Sequence, residues 1–115
     1  MLQAQAARMD ELAVRLHEIT WAAAKGRPPP IHELTYHSVV EFFVENKKRA
    51  PTAVCGALVR EARRGGSLVR LFYMDGEGRA LVGGEDGAPH RSYIARSFDE
   101  MLASLIKDKN VVIFT

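Results

Sequence analysis

The sequence predicts an α+β fold in which helices pack on one face of a small, mostly antiparallel sheet of three or four strands, preceded by an N-terminal amphipathic helix. Three observations between Ser67 and Thr115 predict it. Ser67 to Met74 (SLVRLFYM) has the β-branched and aromatic content of a strand, Asp75 to Gly78 (DGEG) has turn chemistry, and Arg79 to Val82 returns. Arg91 to Arg96 reads as another strand. Ser97 to about Lys107 reads as a helix, and Val111 to Phe114 as a final strand.

Taken in order, residues 2–24 read as a helix. Its apolar stripe runs Met9, Leu12, Leu16, Ile19 and Ala23, a heptad seam suited to packing at home or to self-association, and Glu11 and Arg15 stand at i,i+4. Gly26 and Pro28 to Pro30 end it, and residues 26–31 form a stiff connector, because proline lacks an amide hydrogen and disfavours helix before it. From Thr35 to about Lys48, Tyr36, Val39, Val40, Phe43 and Val44 mark one helical face. Pro51 opens a third expected helix, closed by Gly65 and Gly66, with Val54, Ala57, Leu58 and Ala62 inward. In the last helix, Ser97 and Glu100 form an S-x-x-E capping box ahead of Phe98, Met101, Leu102, Leu105 and Ile106. The apolar end strand is expected inside the sheet, since unpaired it would be an adhesive edge.

A chain of 115 residues is one domain by length, here an N-terminal helix (1–25), the connector (26–31) and a compact body (32–115). Apolar runs of four residues are far short of the roughly 20 a membrane span needs. No secretion signal is evident, and one cysteine, Cys55, allows no internal disulfide. These features are read as a cytoplasmic protein, and the richness in Ala and Arg as a bacterial one. Net charge is +2, yet residues 47–70 carry +6 and the remainder −4. Lys47, Lys48, Arg49, Arg60, Arg63, Arg64 and Arg70 stand there against Glu61 alone, a candidate anion-binding stretch.

Candidates for chemistry are few. Cys55 lies in an apolar run, and a nucleophilic thiol needs a base or positive charge to lower its pKa. His32 and His37 are five residues apart rather than the three or four of a helical metal pair, while His17 and His90 stand alone, so no metal site is expected. The glycines around Asp75 lack the Lys-Ser/Thr ending of a phosphate loop, and the acids Asp75, Glu77, Glu85 and Asp86 do not follow EF-hand spacing. No cofactor and no catalytic residue is expected.

Three helices followed by a strand–turn–strand resembles the winged-helix DNA-binding domain across residues 35–82, with Pro51 to Arg70 similar to its recognition helix and wing. That resemblance implies Arg60, Arg63, Arg64 and Arg70 on phosphates or the major groove, and Lys47 to Arg49 on the backbone. The strand–helix–strand from residue 91 lies outside it. Two functions are therefore expected. The first is a non-catalytic binding or regulatory module, acting on a protein partner or on itself through Met9, Leu12, Leu16 and Ile19 of the first helix. The alternative is a nucleic-acid-binding regulator.

Overall fold

Nine consecutive residue pairs, from Cys55 against Met74 to Arg63 against Gly66, join two strands into the hairpin at the centre of the sheet. The computed structural model describes residues 4–6, 29–81, 88–107 and 109–115. In chain order they form β1 (Ala4–Ala6), β2 (Pro30–Leu34), α1 (Tyr36–Asn46), a 3-10 turn (Lys47–Arg49), β3 (Cys55–Arg63), β4 (Gly66–Met74), β5 (Arg91–Phe98), α2 (Glu100–Ile106) and β6 (Val111–Phe114). The strand order is β1-β6-β3-β4-β5-β2. Five strands make the body of the sheet, and the three-residue β1 extends it beyond β6. All neighbours are antiparallel except β2 and β5, which are parallel. The α+β class and the antiparallel bias hold; the sheet is wider than three or four strands.

Several elements differ from expectation for identifiable reasons. Residues 55–63 are strand, not helix, which removes the recognition helix of the winged-helix resemblance. Alternation was invisible there because Ala57 and Leu58, on opposite faces of the strand, are both fully buried. Arg64 and Gly65 are the two-residue turn of the hairpin, and Gly65 supplies the positive φ of 83°. Of the return strand expected over 79–82, the described residues 79–81 carry one bridge, Met74 with Ala80. Ser97 does not cap α2. It lies in β5 and donates from Oγ to the His32 carbonyl at 2.9 Å, while Asp99 takes the capping position. Part of the proline connector is strand, since Pro30 begins β2 at the sheet edge, where its missing amide hydrogen is tolerated. Residues 4–6 are strand rather than the start of a helix, and the stripe Met9, Leu12, Leu16 and Ile19 lies outside the described residues.

α1 begins as its sequence predicts. The Thr35 hydroxyl accepts the Ser38 amide at 3.1 Å, satisfying one of the free first-turn donors. Val39, Phe42 and Phe43 of α1, with Leu102 and Ile106 of α2, are buried against Leu58, Val69, Leu71, Tyr73, Val112 and Phe114. Both helices therefore share one face of the sheet, as expected. Phe43 is the hub: its ring centroid lies 5.1 Å from Phe114, 5.2 Å from Phe42 and 5.3 Å from Tyr73. Aromatic pairs at these separations add about 0.5–1.5 kcal/mol each beyond the area they bury. On the opposite face, Ala57, Phe72 and Met74 form a smaller cluster, flanked by Cys55, Val59, Ala80 and Ile113.

Candidate groove beside the first helix

The end of α1 and the start of β3 enclose a hollow of about 400 Å³. Its walls are mainly apolar: buried Phe43, Tyr73 and Phe114 and exposed Val44 and Val54, with Lys47 and Cys55 also lining it. The aromatic walls are fixed by the core cluster. Val44 and Val54 are not part of it, and they are 60% and 65% exposed. Val44 sits on the α1 face that the sequence assigned to the core, yet Phe42 takes that place instead.

Gly56 forms the floor because nothing larger fits. A Cβ there would overlap the Phe43 ring, so ring and strand backbone meet directly. Tyr73 seals the base by donating its hydroxyl to the Phe43 carbonyl, and burial pushes its pKa up to about 12. Lys47 braces the loop between helix and strand, donating from Nζ to the carbonyls of Ala53 at 2.8 Å and Ala50 at 3.3 Å. The Ala50 carbonyl also accepts the Ala53 amide at 3.1 Å, so Lys47 reinforces a turn already closed by the backbone.

Cys55 is half-buried at the groove. Burial raises its pKa, and the Asp75 carboxylate raises it further, the opposite of what activates a thiol nucleophile. Neither histidine of the helix region is placed to help. His37 stands at the first turn of α1, ~15 Å of helix from Lys47, where Nε2 lies 3.3 Å from Glu41. His32 is exposed on β2, and His90 is exposed before β5. Asp75 is occupied as a turn-former: Oδ1 accepts the amides of Glu77 and Arg79, each at 2.9 Å. Among the described residues no three His, Cys, Asp or Glu side chains are grouped closely enough to hold a metal ion.

The basic stretch is divided by the fold. Lys47, Lys48 and Arg49 sit in the 3-10 turn beside the start of β3, whereas Arg63 ends β3. At ~3.3 Å per strand residue, β3 itself runs about 26 Å from its start to Arg63. Arg60 is held by Asn110, whose Oδ1 accepts from its Nη2 at 3.1 Å and its Nε at 3.3 Å. Arg63 pairs with Glu61 at 3.2 Å, and Arg64 is exposed in the turn. Arg70 opposes Val59 on the second face, where burial lowers its pKa, Glu61 counters that and Arg63 adds to it. The groove residues Val44, Val54 and Gly56 carry no motif, so sequence reasoning passed over them as site residues.

Among the described residues no helix is long and apolar enough to cross a membrane. No family model, curated protein or solved structure matches the chain.

Proposed function

We propose that this protein is a non-catalytic binding module that seats an apolar side chain from an acidic segment of a partner protein in the groove between α1 and β3. The observation that carries this reading is the pair Val44 and Val54, both largely exposed on the rim of an otherwise apolar hollow. Exposed apolar groups gathered around a concavity favour recognition, because filling it removes them from water at about 25 cal/mol per Å². Lys48 and Arg49 are exposed in the adjoining turn, which selects acidic flanks in the partner.

The test is selection from a displayed peptide library against the full chain. Peptides carrying one apolar residue next to Asp or Glu are expected, bound about tenfold or more weakly by Val44→Asp and Val54→Asp, and unchanged by Met101→Asp, an exposed apolar control on α2. Selected binders indifferent to both valines would overturn the reading. The alternative, a nucleic-acid-binding regulator, rests on Arg60, Arg63 and Arg64 gathered toward one end of the central hairpin. Binding to mixed-sequence duplex DNA or RNA that falls steeply with salt, and is lost when those three become Glu, would favour it instead.

A further inference from the structure

Alternation along the strands gathers a row of basic side chains at the turn end of the central hairpin. Ala57 belongs to the sheet face away from the helices, and Arg63 stands six residues further along β3, so it points to the same side. Its partner across the hairpin is Gly66. The ladder of β4 with β5 runs to Ser67 against Ala95, so the next residues outward, Gly66 and Arg96, stand side by side. Beyond β5, Ile31 pairs with Ala95 and Glu33 with Ser97, which sets His32 beside Arg96. Arg63, Gly66, Arg96 and His32 therefore form one line across β3, β4, β5 and β2, about 14 Å long at ~4.8 Å per strand. Arg64 of the turn lies next to its first member.

The line is open where the middle of that face is not. Ala57 and Phe72 are fully buried, whereas the Arg63 side chain is 50% exposed, and Arg64, Arg96 and His32 are exposed. Gly66 keeps a notch between Arg63 and Arg96: a Cβ there would come within 2.6 Å of the Ala95 carbonyl oxygen, so no side chain fills it. Arg70, two rows inward on β4, is near enough to Arg63 and Glu61 to feel both charges. Glu61 is the one acid in β3, β4 and β5, and Glu33 of β2 faces the other way. Arg60 is on the helix side and is held by Asn110. The cluster is built of arginine rather than lysine, and the guanidinium fork matches two phosphate oxygens at once. A ring N–H of His32 adds a further donor. The large apolar side chains exposed among the described residues, Val44, Val54 and Met101, lie elsewhere, so the line has nothing to insert into a lipid surface. We infer that Arg63, Arg96 and His32, with Arg64 beside them, form a contact surface for the phosphate backbone of a nucleic-acid duplex. Such contacts position a duplex without reading its sequence. The inference rests on the alternative, nucleic-acid reading and changes its residues: Arg96 and His32 enter, and Arg60 leaves.

The test is the affinity of the full chain for a labelled mixed-sequence DNA duplex across a salt series. The native protein is compared with Arg63→Gln, Arg96→Gln, their double variant, Arg60→Gln and Glu61→Gln. Arg63→Gln and Arg96→Gln are each expected to weaken binding about three- to tenfold and to lower the salt slope by about one, and the double variant by about two. Arg60→Gln should change affinity by less than about twofold. Glu61→Gln removes the acid 3.2 Å from Arg63 and should tighten binding by about two- to fivefold, a gain that misfolding cannot imitate. A scrambled duplex of the same length should bind equally well. Affinity that depends on Arg60 as much as on Arg96 would keep a nucleic-acid-binding protein but overturn this surface. Displacement of the duplex by poly-glutamate at equal charge concentration would make the line a general site for acidic chains and overturn it too. No binding at low salt would overturn both this surface and the nucleic-acid reading beneath it.

Discussion

The carboxylate of Asp99 is shared between two helices. Its Oδ1 accepts the Leu102 amide at 3.0 Å, capping α2, and its Oδ2 accepts the Tyr36 amide at 3.0 Å, at the first residue of α1. The Asp99 amide in turn donates to the Leu34 carbonyl at 3.2 Å. One residue thus satisfies first-turn donors of both helices and ties their N-termini to the end of β2, a clamp across 63 residues of chain.

Replacing Asp99 is expected to cost more than an ordinary cap. Asp99→Ala loses both acceptors and should destabilise the fold by about 2–3 kcal/mol, above the 0.5–2 kcal/mol of a single cap. Asp99→Asn keeps one acceptor oxygen and should fall between. Urea denaturation of the three proteins checks the order, and equal costs for Asn and Ala would contradict the shared role.

Gly56→Ala is expected to destabilise by about 1–3 kcal/mol, although alanine is ordinarily the easier residue in a strand. The new methyl meets the Phe43 ring, which is locked by Tyr73 and Phe114. Pairing it with Phe43→Leu, which removes the ring edge, should recover part of the loss. A neutral Gly56→Ala in thermal melts would show that the ring can move aside.

Tyr73 gives the fold an alkaline limit. Its pKa rises from the ordinary 10.0 to about 12 in the folded protein, so the unfolded chain ionises first as pH increases. Below pH 10 both states hold the proton and the group has no effect on the pH dependence. Between 10 and about 12 the unfolded state loses its proton and stability falls. Denaturation midpoints at pH 8 and 11 should diverge more for the native sequence than for Tyr73→Phe. Tyr73→Phe itself should cost about 1 kcal/mol at neutral pH through the lost bond to the Phe43 carbonyl.

Cys55 is expected to react slowly. With its pKa raised by burial and by Asp75, the thiolate fraction at pH 7.5 falls below that of a free thiol, which is about a tenth with a pKa of 8.5. Disulfide-exchange reagents should modify it at least about tenfold faster in denaturant than in buffer, and Asp75→Asn should speed the native reaction slightly. Equal rates folded and unfolded would contradict this burial.

The parts of the fold legible in sequence are those where one local signal decides. The helical face that begins after Thr35, the run from Ser67 to Met74 and the terminal strand Val111–Phe114 all stand where their residues place them. β3 was not legible, because Ala57, Leu58 and Ala62 fall at a spacing that also reads as one face of an alanine-rich helix. Ser97 against Asp99 is a competition between two good caps, settled only by the pairing of β5 with β2. The groove was illegible for another reason. That Val44 is exposed while Phe42 is buried depends on where α1 rolls on the sheet, which a periodic pattern leaves open by one position.

The connectivity of the strands also orders their assembly. The β3–β4 hairpin closes through a two-residue turn, so its formation costs little chain entropy. β2 joins β5 only after the ends of a long loop meet, as the bond from Ser97 to His32 spans 65 residues. The central hairpin is thus the natural nucleus, and the parallel edge is the step that waits for the rest. Amide exchange in the finished protein should mirror this sequence of events, with β2 releasing its protons well before the centre of β4.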